Sequence, residues 1–340
     1  MRYEFEAVPL VRPAPHIAAA VAAWAASAPV CALVRSFAAT PADRRLAEDL
    51  SLGRGDLAER LARLDRFSDI WDARRGLERN QATVLGLAPA QRRLAHAAAE
   101  ALGMRDAARP RFHSYDHLLV LGGSVRGCLA RTAYAAHLAQ SGQVGVGRVT
   151  ALGGHRPFVG DEHRSATAAG VPQLSDEYAA LTHGTSTAFG LTDPHTEDGD
   201  ATPSADRWAI RRYRTADSLP VDVVAAVSGA PAERRANTAD TFAFFVDRLA
   251  EPRPGTRLLL VTSPINVPAQ HASAVGVLGR PFGAVVDTVG TPPEFVPPAL
   301  ARRFGATEYL MEIRSTIRSL RRLLLADQSP RRAPRGAGQQ

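Results

Sequence analysis

The 340-residue chain is 45% apolar and 22% charged, the balance of a globular protein with room for one large domain or two ordinary ones. Its basic residues are all arginine and give a formal charge of +7, but no aromatic-interleaved basic stripe accompanies them, which argues against a nucleic-acid binder. Cys31 and Cys128 stand far apart with no metal-ligand spacing, which argues against a structural zinc or a disulfide scaffold and fits a reducing, cytoplasmic compartment.

Residues 1–105 read as a mainly helical N-terminal region after an extended start at Tyr3 to Leu10. The uncharged run Ile17 to Val34 is mostly alanine, is broken by Pro29 and follows Glu4 and Glu6 instead of a cationic segment, so neither an anchor nor a membrane partner is expected. Leu57, Leu61, Leu64 and Phe67 lie on one helical stripe facing a core. Ser68 is placed to cap a helix through Trp71 and Leu77, and Pro89 opens another that ends near Gly103. Asp72, Arg74, Arg75, Glu78, Arg79 and Asn80 form a polar cluster that suits a solvated helix face or, more sharply, a substrate-gripping lid.

After Ala107 to Pro110 the pattern changes to β-branched runs alternating with helices, defining an α/β domain over residues 106–327. Five strands are expected, at His117 to Leu121, Arg148 to Leu152, Val221 to Val227, Arg257 to Thr262 and Ala284 to Val289. Helices fit the connections Arg126 to Ser141, Asp161 to Phe189, Asn237 to Ala250 and Pro268 to Leu278. That alternation predicts a doubly wound, mostly parallel, Rossmann-like sheet with its ligand at the carboxyl ends of the strands. Thr192 to Asp206 reads as a flexible surface loop, and Arg207 to Arg214 as an edge strand or hairpin partner. A long C-terminal helix is expected from Thr307 to Asp327, with Leu310, Ile313, Ile317, Leu320 and Leu324 on an apolar stripe that serves packing or a homodimer seam. Residues 328–340 read as a disordered Arg/Pro/Gly tail.

Four loops should converge at the strand ends. Gly122 and Gly123 end the first strand and allow close backbone approach, Ser124 stands at the start of the next helix, and Arg126 and Arg131 supply positive charge. The run is not a dinucleotide fingerprint, because its glycines lack the first, third and sixth spacing. Gly153 and Gly154 repeat the pattern after the second strand, followed by His155, Asp161, Glu162 and His163. Glu162 is the best-placed acid or base and His155 the candidate partner base; no helical spacing supports a metal. Asn237, Thr238, Asp240 and Thr241, then Thr262, Ser263, Asn266, Gln270 and His271, complete a polar mouth for a small-molecule ligand. Neither Ser124 nor Ser263 stands in a Gly-x-Ser-x-Gly elbow, which argues against acyl-enzyme chemistry.

As an ordered set, Leu121 to Gly123, Arg131, Gly153 with Gly154, Glu162, Thr238 to Thr241 and Val261 to Ser263 resemble the ElyC/SanA/YdcF family, the DUF218 domain, over roughly Ser114 to Leu278. The resemblance implies a Rossmann-like binder of nucleotide or S-adenosylmethionine as ligand or cofactor, with hydrolase or transferase activity. The family's asparagine is Thr241 here, its glutamate is Asp240 and its histidine after the last strand falls on Asn266, which cannot transfer a proton at neutral pH. Two functions are therefore carried forward: an enzyme, hydrolase or transferase, acting on a nucleotide, S-adenosylmethionine-like or phosphorylated small molecule, and a non-catalytic binding or regulatory protein using the same pocket.

Overall fold

Proline and capping residues lay out the helical N-terminal region. In this computed structural model, which describes residues 3–12, 16–74, 82–105, 108–200, 204 and 206–328, α1 (Ile17–Ala25) is followed directly by α2 (Ala28–Phe37). Pro29 sits in the first turn of α2, where its missing N–H costs nothing, so it opens a helix as well as breaking the alanine run. The two are bent by 45° with Val21, Trp24, Val30, Leu33 and Val34 buried, and among the described residues no single helix is long and apolar enough to cross a membrane. Thr40 and Asp43 form a reciprocal cap on α3 (Pro41–Leu52), and Asp56 caps α4 (Leu57–Phe67) by accepting from the Glu59 amide. Leu61, Leu64 and Phe67 of α4 are buried as their spacing requires. Ser68 does not cap a long helix: its hydroxyl donates back to the Asp65 carbonyl at 2.6 Å, and only a short turn follows, Ser68–Trp71. Leu77, Arg75, Glu78, Arg79 and Asn80 lie outside the described residues. Pro89 opens α5 (Pro89–Ala101), and Gly103 ends it in the left-handed region at φ 74°.

The second region runs β1 (Ser114–Tyr115), β2 (His117–Leu121), α6 (Val125–Gln140), β3 (Gly145–Val146), β4 (Val149–Gly154), α7 (Glu162–Ala168), α8 (Glu177–Phe189) and β5 (Thr196–Gly199). It continues with β6 (Ala209–Arg214), β7 (Pro220–Ala226), α9 (Thr238–Arg248), β8 (Arg257–Thr262), α10 (Val267–Ala274), α11 (Arg280–Phe282), β9 (Val285–Gly290) and α12 (Ala306–Gln328). Among the described residues, β1 and β3 form a short pair, and the main sheet has seven strands in the order β5-β6-β7-β4-β2-β8-β9. The five expected strands appear within two residues of their predicted bounds and pair in parallel, while β5 and β6 add an antiparallel edge. The fold is thus α/β and mixed. The expected loop at 192–206 contains β5, which covers β6 and takes the edge position from it.

Helices cover both faces, as a parallel sheet requires. α6 and α8 pack on one face over Leu118, Val120, Ala151, Val223 and Val261. On the other, Leu119, Leu121, Leu258 and Leu260 join α9, α10, α12 and the N-terminal helices in one continuous apolar core. The helical region is therefore fused to the sheet, and α12 is the fusion. Its Leu310, Ile313, Ile317, Leu320 and Leu324 are buried within the chain, each contributing about 1.5–3 kcal/mol, which leaves that stripe no surface for a dimer seam. Arg314 and Arg321 pin it to Asp69 and Asp65 of the N-terminal region at 2.5 and 2.7 Å.

Candidate functional site

The strand order places the reversal of winding at β2, between β4 and β8, so a crevice opens beyond the carboxyl ends of these three strands. The glycines there serve side chains of the protein before any ligand. A Cβ on Gly122 would run into the Glu177 carboxylate and stand 3.0 Å from the Leu152 carbonyl. On Gly123 it would stand 3.2 Å from Nη1 of Arg131, and on Gly153 2.5 Å from the Leu181 side chain. Removing three side chains lets Glu177, Arg131 and Leu181 close directly on the strand ends.

Two arginines do so. Arg131, from the second turn of α6, is buried; its Nη1 donates to the Leu121 carbonyl at 2.6 Å and to that of Gly122, while Nε and Nη2 reach the Ser263 hydroxyl at 3.3 and 3.1 Å. It ties β2 to β8 across the crevice. Arg156, just beyond β4, donates to both oxygens of Glu162 at 2.6 and 2.8 Å, to Glu177 at 3.2 Å and to the Gly123 carbonyl at 2.8 Å. Burial opposes its charge, but the hydrogen bond to Glu162 and the charge of Glu177 more than offset this and raise its pKa. Burial pushes the Glu177 carboxyl above its ordinary value, with Arg156 and Arg235 working against the shift.

This network alters the roles of both catalytic candidates. Glu162 has both oxygens on Arg156 and also accepts from the Val159 amide at 3.1 Å, so three of its four or so acceptor sites are engaged and the charge that would make it a base is spent on a buried ion pair. His155 is packed edge-on against Tyr178, with Nε2 3.0 Å from the Asp200 carbonyl and Nδ1 3.7 Å from the Asp176 carboxylate. Its side chain is fully enclosed, which fits a packing role and not proton transfer to a ligand.

Above this floor lies a cleft of about 1270 Å³. Gly122, Gly123, Ser124, Arg126, Arg131, Gly153, Gly154, His155, Glu162, Asn237, Thr238, Thr241, Ser263, Asn266 and Gln270 line it, so most of the mouth expected from sequence does converge. Asp240, Thr262 and His271 do not line it, and each has a structural task. Asp240 closes the N-terminal cap of α9 with Asn237 and pairs with Arg234; Thr262 is buried and donates to Gln270. His271 bonds the carbonyl of Val11 through Nε2 at 2.8 Å, so Nε2 carries the proton and Nδ1 accepts from the Thr288 hydroxyl at 2.9 Å. Among the described residues no group of three or more His, Cys, Asp or Glu is arranged to hold a metal.

The roof was read in the sequence only at Arg74, within the polar cluster offered as a substrate-gripping lid. Glu308, Met311, Ser315, Arg318 and Arg322 form a second stripe on α12, and Arg74, Leu87, Arg92 and His96 come from the N-terminal region. The Leu85 amide donates to the Thr307 hydroxyl at 3.1 Å, fastening that region to the start of α12. Of the polar cluster around residue 74, Arg74 does reach the cleft, donating to the Ser315 hydroxyl at 3.2 Å. Altogether ten arginines and five acidic residues line the cleft among the described residues. Helical spacing is the signal for the α12 stripe, since Glu308, Met311, Ser315, Arg318 and Arg322 recur every three or four residues along one face.

Comparison with known proteins corrects the resemblance to the DUF218 domain. The family whose model matches is described as the Rv3785 N-terminal domain, over residues 11–103, and nothing found indicates DUF218. Two relatives, "Uncharacterized protein Rv3785" of Mycobacterium tuberculosis (strain H37Rv) and "Uncharacterized protein Mb3814" of Mycobacterium bovis, are each 30% identical over 302 residues, covering 79% of this chain and 81% of theirs. No solved structure matches. The glycine pairs, the arginine and the Val-Thr-Ser strand end are what any close-packed strand terminus of this kind can carry, and they did not mark a family.

Proposed function

The chain belongs to the Rv3785 family, and we propose that it binds a phosphorylated small molecule of nucleotide size in the cleft over the strand ends. The observation that carries this reading is the start of α6. Its first turn faces the cleft with no acidic residue and no side-chain cap, and Arg126 occupies its second position. A cation there has the wrong sign for the helix dipole, an arrangement that an anion corrects. Arg126 and Arg302 also lie over the same ring, Phe304, at 5.1 and 5.0 Å, and burial followed by the charge of Arg302 lowers the pKa of Arg126. A phosphate shared by the pair would relieve both. The cleft exceeds the roughly 300–1,000 Å³ of ordinary ligand pockets, leaving room for a nucleoside beside the phosphates. The arginine rim disfavours the sulfonium cation of S-adenosylmethionine and favours a nucleotide. Two buried free thiols, Cys31 and Cys128, agree with a cytoplasmic setting.

A hydrolase or transferase acting on that molecule is the second reading, and Glu177 favours it. Its buried carboxyl lines the cleft and holds its proton to higher pH than an ordinary glutamate, as a general acid needs. Mass spectrometry of ligand carried through purification, followed by calorimetric titration with ADP, tests the proposal. Binding that weakens as salt rises supports it; an absence of heat with ADP and with inorganic pyrophosphate contradicts it.

A further inference from the structure

The ends of β2 and β8 lie side by side, and one guanidinium spans them. Arg131 gives Nη1 to the Leu121 and Gly122 carbonyls and Nε and Nη2 to the Ser263 hydroxyl, at 3.3 and 3.1 Å, which seats that hydroxyl beside the glycine pair at the foot of the cleft. Ser263 is 9% exposed, and its side chain caps no helix. A serine oxygen has two lone pairs and one proton. Here the lone pairs face two N–H groups of Arg131, so the proton is turned away from the guanidinium, and among the described residues it meets no acceptor. The same contacts occupy the electrons that a nucleophile would need. Ser263 is thus prepared to donate and not to attack, and a donor buried this deeply costs stability until an acceptor answers it.

Ser124, two residues beyond Gly122, adds a second hydroxyl to the cleft lining; it is exposed and makes no cap on α6. The Cys128 amide makes the first bond of that helix, to the Ser124 carbonyl at 2.9 Å, which leaves the amides of Val125, Arg126 and Gly127 without an intrahelical acceptor. We propose that the terminal phosphoryl group of the ligand sits between Ser263 and this first turn, with Ser263 selecting a free phosphate end over an esterified one and Arg131 positioning Ser263. The proposal deepens the reading of the cleft as a site for a phosphorylated molecule and rests on it. Every group around the subsite donates, so what sits there must accept. A terminal phosphoryl group brings three anionic oxygens to them, whereas an esterified phosphate brings two and carries a substituent that has to displace a donor. The floor meets the ligand through a hydroxyl, while its arginines stay engaged with the protein.

The test is calorimetric titration of the full chain with ADP and with ADP-ribose, in which the same β-phosphate is esterified. The parent should bind ADP about tenfold or more tightly than ADP-ribose. Ser263→Ala should weaken ADP about tenfold and leave ADP-ribose nearly unchanged, so that the preference disappears, while Ser263→Thr, which keeps the hydroxyl, should retain it. Ser124→Ala, at an exposed position, should narrow the preference in the same direction, and it carries the test if Ser263→Ala does not fold. Equal affinity of the parent for the two ligands overturns the inference and leaves the cleft a phosphate site. So does a preference unchanged in Ser263→Ala or, where that variant does not fold, in Ser124→Ala. Equal weakening of both ligands in Ser263→Ala shows a structural hydroxyl and also overturns it. Absence of binding by the parent to ADP, ADP-ribose and pyrophosphate alike overturns the underlying reading together with the inference.

Discussion

The floor and the rim of the large cleft are both rich in arginine and use it in opposite ways. On the floor the Arg156 side chain is 9% exposed and spends its donors on Glu162, Glu177 and the Gly123 carbonyl. At the rim Arg302 is 52% exposed and Arg318 46%; the Arg302–Glu308 pair is of the exposed kind worth about 0–1 kcal/mol that a ligand can displace, and Arg318 stands 3.8 Å from Asp65, which Arg321 holds at 2.7 Å. A count of arginines therefore says little about anion binding. What matters is whether carboxylates already hold them, and how deeply.

The comparison breaks most visibly at Arg156. Arg156→Met should cost about 3–5 kcal/mol in denaturant unfolding, because it strands two buried carboxylates. A loss below about 1 kcal/mol would mean that the floor is not the closed network described here. His271 sharpens the contrast between buried and exposed polar groups through pH. Burial depresses its pKa to about 4 against an ordinary 6.5, so it is neutral in the fold, and its contribution is present above pH 6.5 and lost as pH falls toward 4 and below. The shift corresponds to about 3 kcal/mol, and hydrogen exchange should show the segment around Val11 opening first in acid. His271→Gln should flatten that dependence; an unchanged acid profile would place the labile group elsewhere. A smaller effect is expected at Glu177, whose raised pKa makes its ionised form unfavourable in the fold. Its stabilising contribution is fully present below the ordinary glutamate value and lost as pH rises through the folded one, so Glu177→Gln should be at least as stable as the parent at neutral pH. Removing that charge should also tighten ADP binding by about 1 kcal/mol, and weaker binding would assign Glu177 to the ligand directly.

The sheet was legible because its parallel strands are apolar runs, two of them closed by glycine pairs, which is a local signal. The glycine pairs after β2 and β4 were located correctly but for an incomplete reason. Their lack of side chains reads in sequence as access for a ligand, whereas Gly122, Gly123 and Gly153 admit Glu177, Arg131 and Leu181. Glu162 was legible as a cleft residue, yet its engagement was not, because the pairing with Arg156 and the third partner Glu177 is decided by how α7 and α8 return to the strand ends. The α12 part of the roof was missed for a related reason: the helix was read for the stripe that packs, and the stripe at Met311, Ser315, Arg318 and Arg322 gains meaning only once the helix lies across the sheet. Asp240 was read as a ligand contact, although an aspartate three residues after Asn237 is an equally good helix cap, and that is how it is used.

The division between a structural floor and a binding rim is tested most directly by titrating ADP calorimetrically into the parent and Arg126→Ala while recording the melting of both. Arg126 donates to the Leu300 carbonyl at 3.0 Å and lies on Phe304 at the mouth, outside the Arg156 network. The account predicts that Arg126→Ala weakens ADP binding about tenfold or more, about 1.4 kcal/mol, with a Tm within a degree or so of the parent's. Unchanged affinity, or a large fall in Tm with affinity intact, would contradict it.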